Sequence, residues 1–132
     1  KPPARPEPSS IQAQLFVADI RAACAYYGTL GFETVFVYGE PPFYGQVKRG
    51  VARLNLRMVC EPLFVGDVRE REGLLAGSIT MSSAAELKAL YDEFHGAGTD
   101  FNQALKQQSW GACDFVVRDP DGNLLHFAGP AG

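Results

Sequence analysis

The feature that most limits how this chain can fold is an internal repeat. Asp19 and Ser83 each precede an amphipathic stretch, stand 64 residues apart, and are each followed eight residues later by a tyrosine, Tyr27 and Tyr91. Both halves also read in the same order: an alternating segment, a capped helix, then three more strand-like segments. In the first half, residues 11–18 alternate. Gln12, Gln14 and Phe16 share one face, and Ile11, Ala13, Leu15 and Val17 share the other. Asp19 is an N-cap residue type. Ile20, Ala23, Cys24, Tyr27 and Leu30 form one stripe of the helix it opens, and Gly31 stops it. Strands are predicted over residues 32–38, 43–49 and 51–59. In the last of these Leu54, Leu56 and Met58 face one way while Arg53, Asn55 and Arg57 face the other.

Residues 61–73 read as a connector of mixed charge. In the second half a short strand is predicted at 78–82. Ser83 and Glu86 have the spacing of a capping box, and Leu87, Leu90, Tyr91 and Phe94 give the helical stripe. Strands follow near 99–106, 111–117 and 123–128, with Asp119-Pro120-Asp121-Gly122 as a tight turn. The fold class expected is α+β: two βαβββ modules, residues about 11–60 and 76–129, forming a curved mixed sheet around a cavity with the helices on its outer face. Residues 1–10, with four prolines, read as an extended arm before a single domain over 11–132.

The chain has 132 residues, 46% of them apolar, which is enough to build a core and excludes disorder, collagen and coiled coil. No run of about 18 apolar residues exists, so no membrane-spanning helix or membrane partner is expected. Twelve basic residues against fifteen acidic ones, net −3, argue against nucleic acid as a partner. Phosphate-loop, dinucleotide and nucleophile-elbow motifs are missing. Cys24, Cys60 and Cys113 are odd in number and widely spaced, which suggests core thiols in a reducing, cytoplasmic compartment.

Several residues carry chemistry, each with two readings. His126 is a metal ligand or general base, or a hydrogen-bonded histidine on a cavity wall. Arg53 and Arg57, alternating with Asn55, form an anion- or carboxamide-binding wall, or reach solvent from a sheet edge. Trp110 stacks on a flat ligand or caps the core, and Phe36, Tyr38, Phe43 and Tyr44 are candidates for the second half of an aromatic pair. Gln12 and Gln14 point to a polar cavity, or bond each other and water. Asp119 and Asp121 read as turn formers whose carboxylates accept from turn amides. His95, at a helix end, has no chemistry assigned.

Leu15-Phe16-Val17-Ala18-Asp19 followed by Tyr26-Tyr27 and Leu30-Gly31-Phe32-Glu33, together with Ser109-Trp110-Gly111 and the run from Phe115 through Asp119-Pro120-Asp121-Gly122-Asn123 to Phe127, resemble the vicinal oxygen chelate superfamily. That superfamily includes glyoxalase I, extradiol dioxygenases, and fosfomycin- and bleomycin-resistance proteins; the Trp-Gly pair looks most like the bleomycin-resistance branch. In metal-using members the ligands come from four strands. The resemblance places those positions at Gln12, Asn55, Ser78 and His126, with no carboxylate among them. Asn and Ser are poor divalent-metal ligands, which leaves Gln12 and His126 if a metal binds. The resemblance therefore implies a cofactor-free binding protein. It would hold a flat or amphipathic small molecule in a homodimer cleft by sequestration, through Gln12, Gln14, Tyr38, Phe43, Arg53, Asn55, Arg57, Ser78, Trp110 and His126. The alternative it implies is a divalent-metal glyoxalase- or dioxygenase-type enzyme with a degenerate ligand set. Bleomycin is cationic, and inward-facing Arg53 and Arg57 would oppose it.

Overall fold

The computed structural model describes residues 5–61 and 68–131. The first module runs β1 (Ala13–Val17), α1 (Ile20–Thr29), β2 (Glu33–Tyr38), β3 (Tyr44–Arg49) and β4 (Ala52–Met58). A short α2 (Val68–Glu72) precedes the second, which runs β5 (Leu75–Thr80), α3 (Ala84–Gly96), β6 (Phe101–Gln107), β7 (Ala112–Arg118) and β8 (Leu124–Pro130). The modules form two four-stranded mixed sheets of matching order, β1-β4-β3-β2 and β5-β8-β7-β6. The pairs β1–β4 and β5–β8 are parallel and the others antiparallel. The curved surface expected from the repeat is thus built from two sheets that meet along β1 and β5. At that seam a Cβ on Gly77 would lie 3.1 Å from the Cβ of Ala13, so a residue without a side chain lets the strands approach.

Local chemistry opens both main helices. Asp19 Oδ1 accepts from the Ala22 amide at 2.9 Å, and Ser83 Oγ from the Glu86 amide at 3.1 Å. Only half of the expected capping box forms, because the Glu86 carboxylate accepts from Ser82 Oγ at 2.8 Å. That contact belongs to the turn into α3, and β5 accordingly spans Leu75–Thr80 rather than 78–82. Part of the predicted connector is helical: α2 lies in residues 61–73, of which 62–67 fall outside the described residues. Cys24 and Cys113 are half-buried against the core, as expected of core thiols, but Cys60 is exposed just after β4.

Leu15, Val17, Leu54, Leu56 and Val47 turn toward Ile20 and Tyr27 of α1, while Phe115, Val117, Leu125 and Phe127 turn toward Leu87, Leu90 and Phe94 of α3, all in one buried cluster. Each such side chain stabilises by about 1.5–3 kcal/mol on burial. Phe115 stacks on Phe127 with centroids 5.1 Å apart, and Phe94 meets both rings edge-on.

The Asp-Pro-Asp-Gly-Asn hairpin between β7 and β8 fastens one module to the other. Asp119 Oδ1 accepts from the amides of Asp121 and Asn123, as the sequence suggested, while Oδ2 accepts the Tyr27 hydroxyl of the other module at 2.7 Å. The Asn123 amide grips the Phe16 backbone on both sides, donating to its carbonyl at 2.9 Å and accepting from its N–H at 3.3 Å. Asp121 Oδ1 accepts from the Ala18 amide at 2.9 Å. Arg69 of α2 donates to the Asp121 carbonyl beside Gly122, whose φ of +84° favours glycine. Burial, opposed by hydrogen bonds from Tyr27 and Asn123, pushes the Asp119 carboxyl above its ordinary pKa.

Candidate functional site

The apolar alternate positions of each sheet face a helix, which leaves the other face concave and polar. In the first module the strand register sets that face in transverse rows. Gln14 stands beside Asn55, Asn55 beside Gln46, and Gln46 beside Phe36. The next row runs Phe16, Arg57, Tyr44, Tyr38. On the other side Arg53 stands beside Lys48 and Lys48 beside Glu33, with Gln12 one residue before the first β1–β4 pair. Gln46 ties two rows together: its Nε2 donates to Asn55 Oδ1 at 2.8 Å and its Oε1 accepts from Arg53 at 2.9 Å. Asn55 faces this side and is 6% exposed.

The second module's concave face is built around an imidazole. His126 stands beside Ser78 on β5 and beside Val116 on β7. Its Nδ1 lies 2.5 Å from Ser78 Oγ and its Nε2 lies 2.9 Å from Asp114 Oδ2. Asp114, 5% exposed, also accepts on Oδ1 from the side-chain amides of Gln103 and Gln108, each at 2.8 Å. Burial alone would raise the Asp114 pKa, but the bonds from His126, Gln108 and Gln103 together hold it below its ordinary value. The arrangement orients the ring and polarises the Ser78 hydroxyl. Both ring nitrogens are engaged, so a metal would have to displace one of these partners.

A cleft of about 420 Å³ runs along the seam between the modules. Gln12, Arg53, Ser78 and Thr80 give it polar atoms, and Ile11 and Val51, both almost fully exposed, give it apolar ones. The structure therefore brings Gln12, Arg53 and Ser78 together, with His126 behind Ser78. Gln14, Asn55 and Arg57 lie on the first module's open wall. Tyr38 and Phe43 pack edge to face with centroids 5.5 Å apart, 65% and 48% exposed, at the β2–β3 end. Trp110 is 71% exposed in the β6–β7 turn, so it does not cap the core.

Asp114, Gln103, Gln108 and Gln46 escaped the sequence reading. Asp114 is the one of these with a signal: a carboxylate inside the otherwise apolar run 112–117 has to find partners. Gln46 surfaces only once β3 is registered against β4.

The positions at which the resemblance would place metal donors are Gln12, Asn55, Ser78 and His126. The Asn55 oxygen accepts from Gln46 and both His126 nitrogens are taken, while Gln12 donates through Nε2 to Ser10 and keeps its Oε1. Among the described residues no three His, Cys, Asp or Glu side chains gather where they could hold a metal ion. The donor set does not fit.

Several known proteins share this architecture. A glyoxalase/bleomycin resistance protein/dioxygenase from Alicyclobacillus acidocaldarius superposes with a TM-score of 0.76 at 18% identity, over 94% of this chain and 92% of that one. A bleomycin-binding protein solved with bleomycin gives a TM-score of 0.73 at 20% identity, over 92% and 98%. A lactoylglutathione lyase from Agrobacterium tumefaciens gives 0.69 at 19%, over 95% and 96%. At these identities the likeness speaks for the fold. Comparison with curated protein sequences returns no match. Residues 10–127 match the sequence profile of the Glyoxalase/Bleomycin resistance protein/Dioxygenase superfamily, and the chain belongs to that superfamily.

Proposed function

We propose that the protein binds a flat or amphipathic small molecule without a metal, in a cleft between two copies of the chain, and acts by sequestration. The observation that carries this reading is the aromatic surface left bare at the rims of the concave faces. Phe36, Tyr38, Phe43 and Trp110 are 40%, 65%, 48% and 71% exposed. Large apolar rings left in water at the mouth of a polar concavity suit a stacked ligand and a second subunit. The bleomycin-binding protein of the same fold supports the idea of a held small molecule, and the closed donor set supports metal independence.

The test is a ligand panel, bleomycin included, read by Trp110 fluorescence, with sedimentation of the free chain. Saturable quenching and a dimer are expected. Metal analysis after loading with Zn, Mn, Fe, Co or Ni decides the other branch. About one ion per chain, lost in His126→Ala, would overturn the reading in favour of a metal enzyme. Deleting residues 1–10 is expected to weaken the dimer, and an unchanged dissociation constant would reject a role for that arm.

A further inference from the structure

We propose that the first module's concave wall selects a planar aromatic ligand bearing a carboxylate or comparable oxyanion, received by Arg57 between the side chains of Phe16 and Tyr44; this rests on the ligand-binding reading above. The strands of the structure carry four arginines, and their partners differ. Arg49 is paired with Glu93, Arg118 with Glu70 and Asp100, and Arg53 donates to the neutral Gln46 amide. Arg57 is exposed and makes no hydrogen bond or ion pair with any described residue.

The paired strand neighbours of Arg57 are aromatic. Its neighbour on β1 is Phe16 and its neighbour on β3 is Tyr44, followed across β2 by Tyr38. The Phe36 and Tyr44 rings lie 5.9 Å apart, tilted at 32°, so the β3 neighbour of Arg57 is accompanied by a second ring. The adjoining row, Gln14, Asn55 and Gln46, offers amides without charge.

Charge decides the sign of the ligand. The chain carries net −3, yet the strand rows of this wall hold Lys48, Arg53 and Arg57 with Glu33, itself 3.4 Å from Lys48, while Glu61 and Asp121 stand with Arg69 around the far side of Phe16. A cation would meet two uncompensated guanidinium groups, whereas a planar oxyanion can take both N–H bonds of one. The rings supply the flat contact that a bare anion would not use. Cationic bleomycin is therefore the wrong partner for this wall, although a bleomycin-binding protein shares the fold.

The experiment compares three probes with one ring system: 2-naphthoate, 2-naphthylmethanol and 2-naphthylmethylammonium. Affinities are measured by calorimetry at pH 7 and low salt for the full chain and for Arg57→Gln, an exposed change that leaves the core alone. Naphthoate is expected to bind at least tenfold tighter than the ammonium compound. In Arg57→Gln it should fall to the level of the alcohol, whose own affinity stays unchanged. An ammonium compound that binds as tightly as naphthoate, or a preference that survives Arg57→Gln, would overturn the assignment and leave the ligand-binding reading standing. If none of the three binds, this assignment falls, and the ligand-binding reading is decided by the panel and the Trp110 fluorescence described above.

Discussion

The two concave faces share a backbone plan and have opposite polar economies. On the second module the polar groups satisfy one another: Asp114 takes Gln103, Gln108 and His126, and His126 takes Ser78. On the first module Gln46 links Asn55 to Arg53, while Arg57 and the aromatic rings are left facing outward. The difference comes from one residue type. A buried carboxylate must collect donors, and it draws its neighbours inward. A buried neutral asparagine makes a smaller demand, so the residues around it stay available to a ligand.

Predictions that would break this contrast fall in order of size. The second module leans on stacked aromatics, so Phe115→Ala should cost about 4 kcal/mol, and Leu15→Ala in the first about 3 kcal/mol, in urea unfolding. Equal and small losses would show that the core is not the shared cluster described. Breaking the hairpin that joins the modules comes next. Asn123→Ala removes both bonds to the Phe16 backbone and one to Asp119, and should cost about 2 kcal/mol with unfolding still a single transition.

Acid sharpens the comparison, because two buried carboxylates five residues apart are perturbed in opposite directions. The folded-state pKa of Asp114 is depressed from 3.8, so its contribution is full above that value and is lost as the pH falls through the lower, folded-state pKa. Asp119 is raised from the same 3.8, so its contribution is present below that value and is lost as the pH rises through the folded pKa. Between pH 2 and 6, Asp114→Asn should flatten the acid loss of stability and Asp119→Asn should steepen it. Parallel shifts in the two variants would contradict the hydrogen-bonding account. The smallest effect belongs to the exposed groups: Arg57→Gln and Trp110→Ala should each change stability by less than about 0.5 kcal/mol.

The repeat made the fold legible. Two caps at equal distance from two tyrosines, with alternation before and after, state the module and its copy, and the structure has both. Alternation in β4 also told which residues share a face, and Arg53, Asn55 and Arg57 do. It could not tell which of them is covered. Asn55 is buried, bonded by Gln46 from β3, while Arg57 two residues on is exposed, and strand register is a long-range property. The Asp114 cluster was hidden for the same reason, since Gln103 and Gln108 come from β6 and the turn after it. The helix α2 is a single short turn, too brief for periodicity to reveal.

The hairpin that grips the Phe16 backbone has a consequence for how the molecule opens. The Asn123 bonds to Phe16 join residues 107 positions apart, and the Tyr27 bond to Asp119 joins residues 92 apart. Contacts so distant along the chain form only once both modules are in place, so they tie the two into one cooperative unit. The repeat therefore does not mark two independent folding units. Amide protons at Phe16 and Asn123, in different modules, should exchange with deuterium at one common rate, set by the opening of the whole domain.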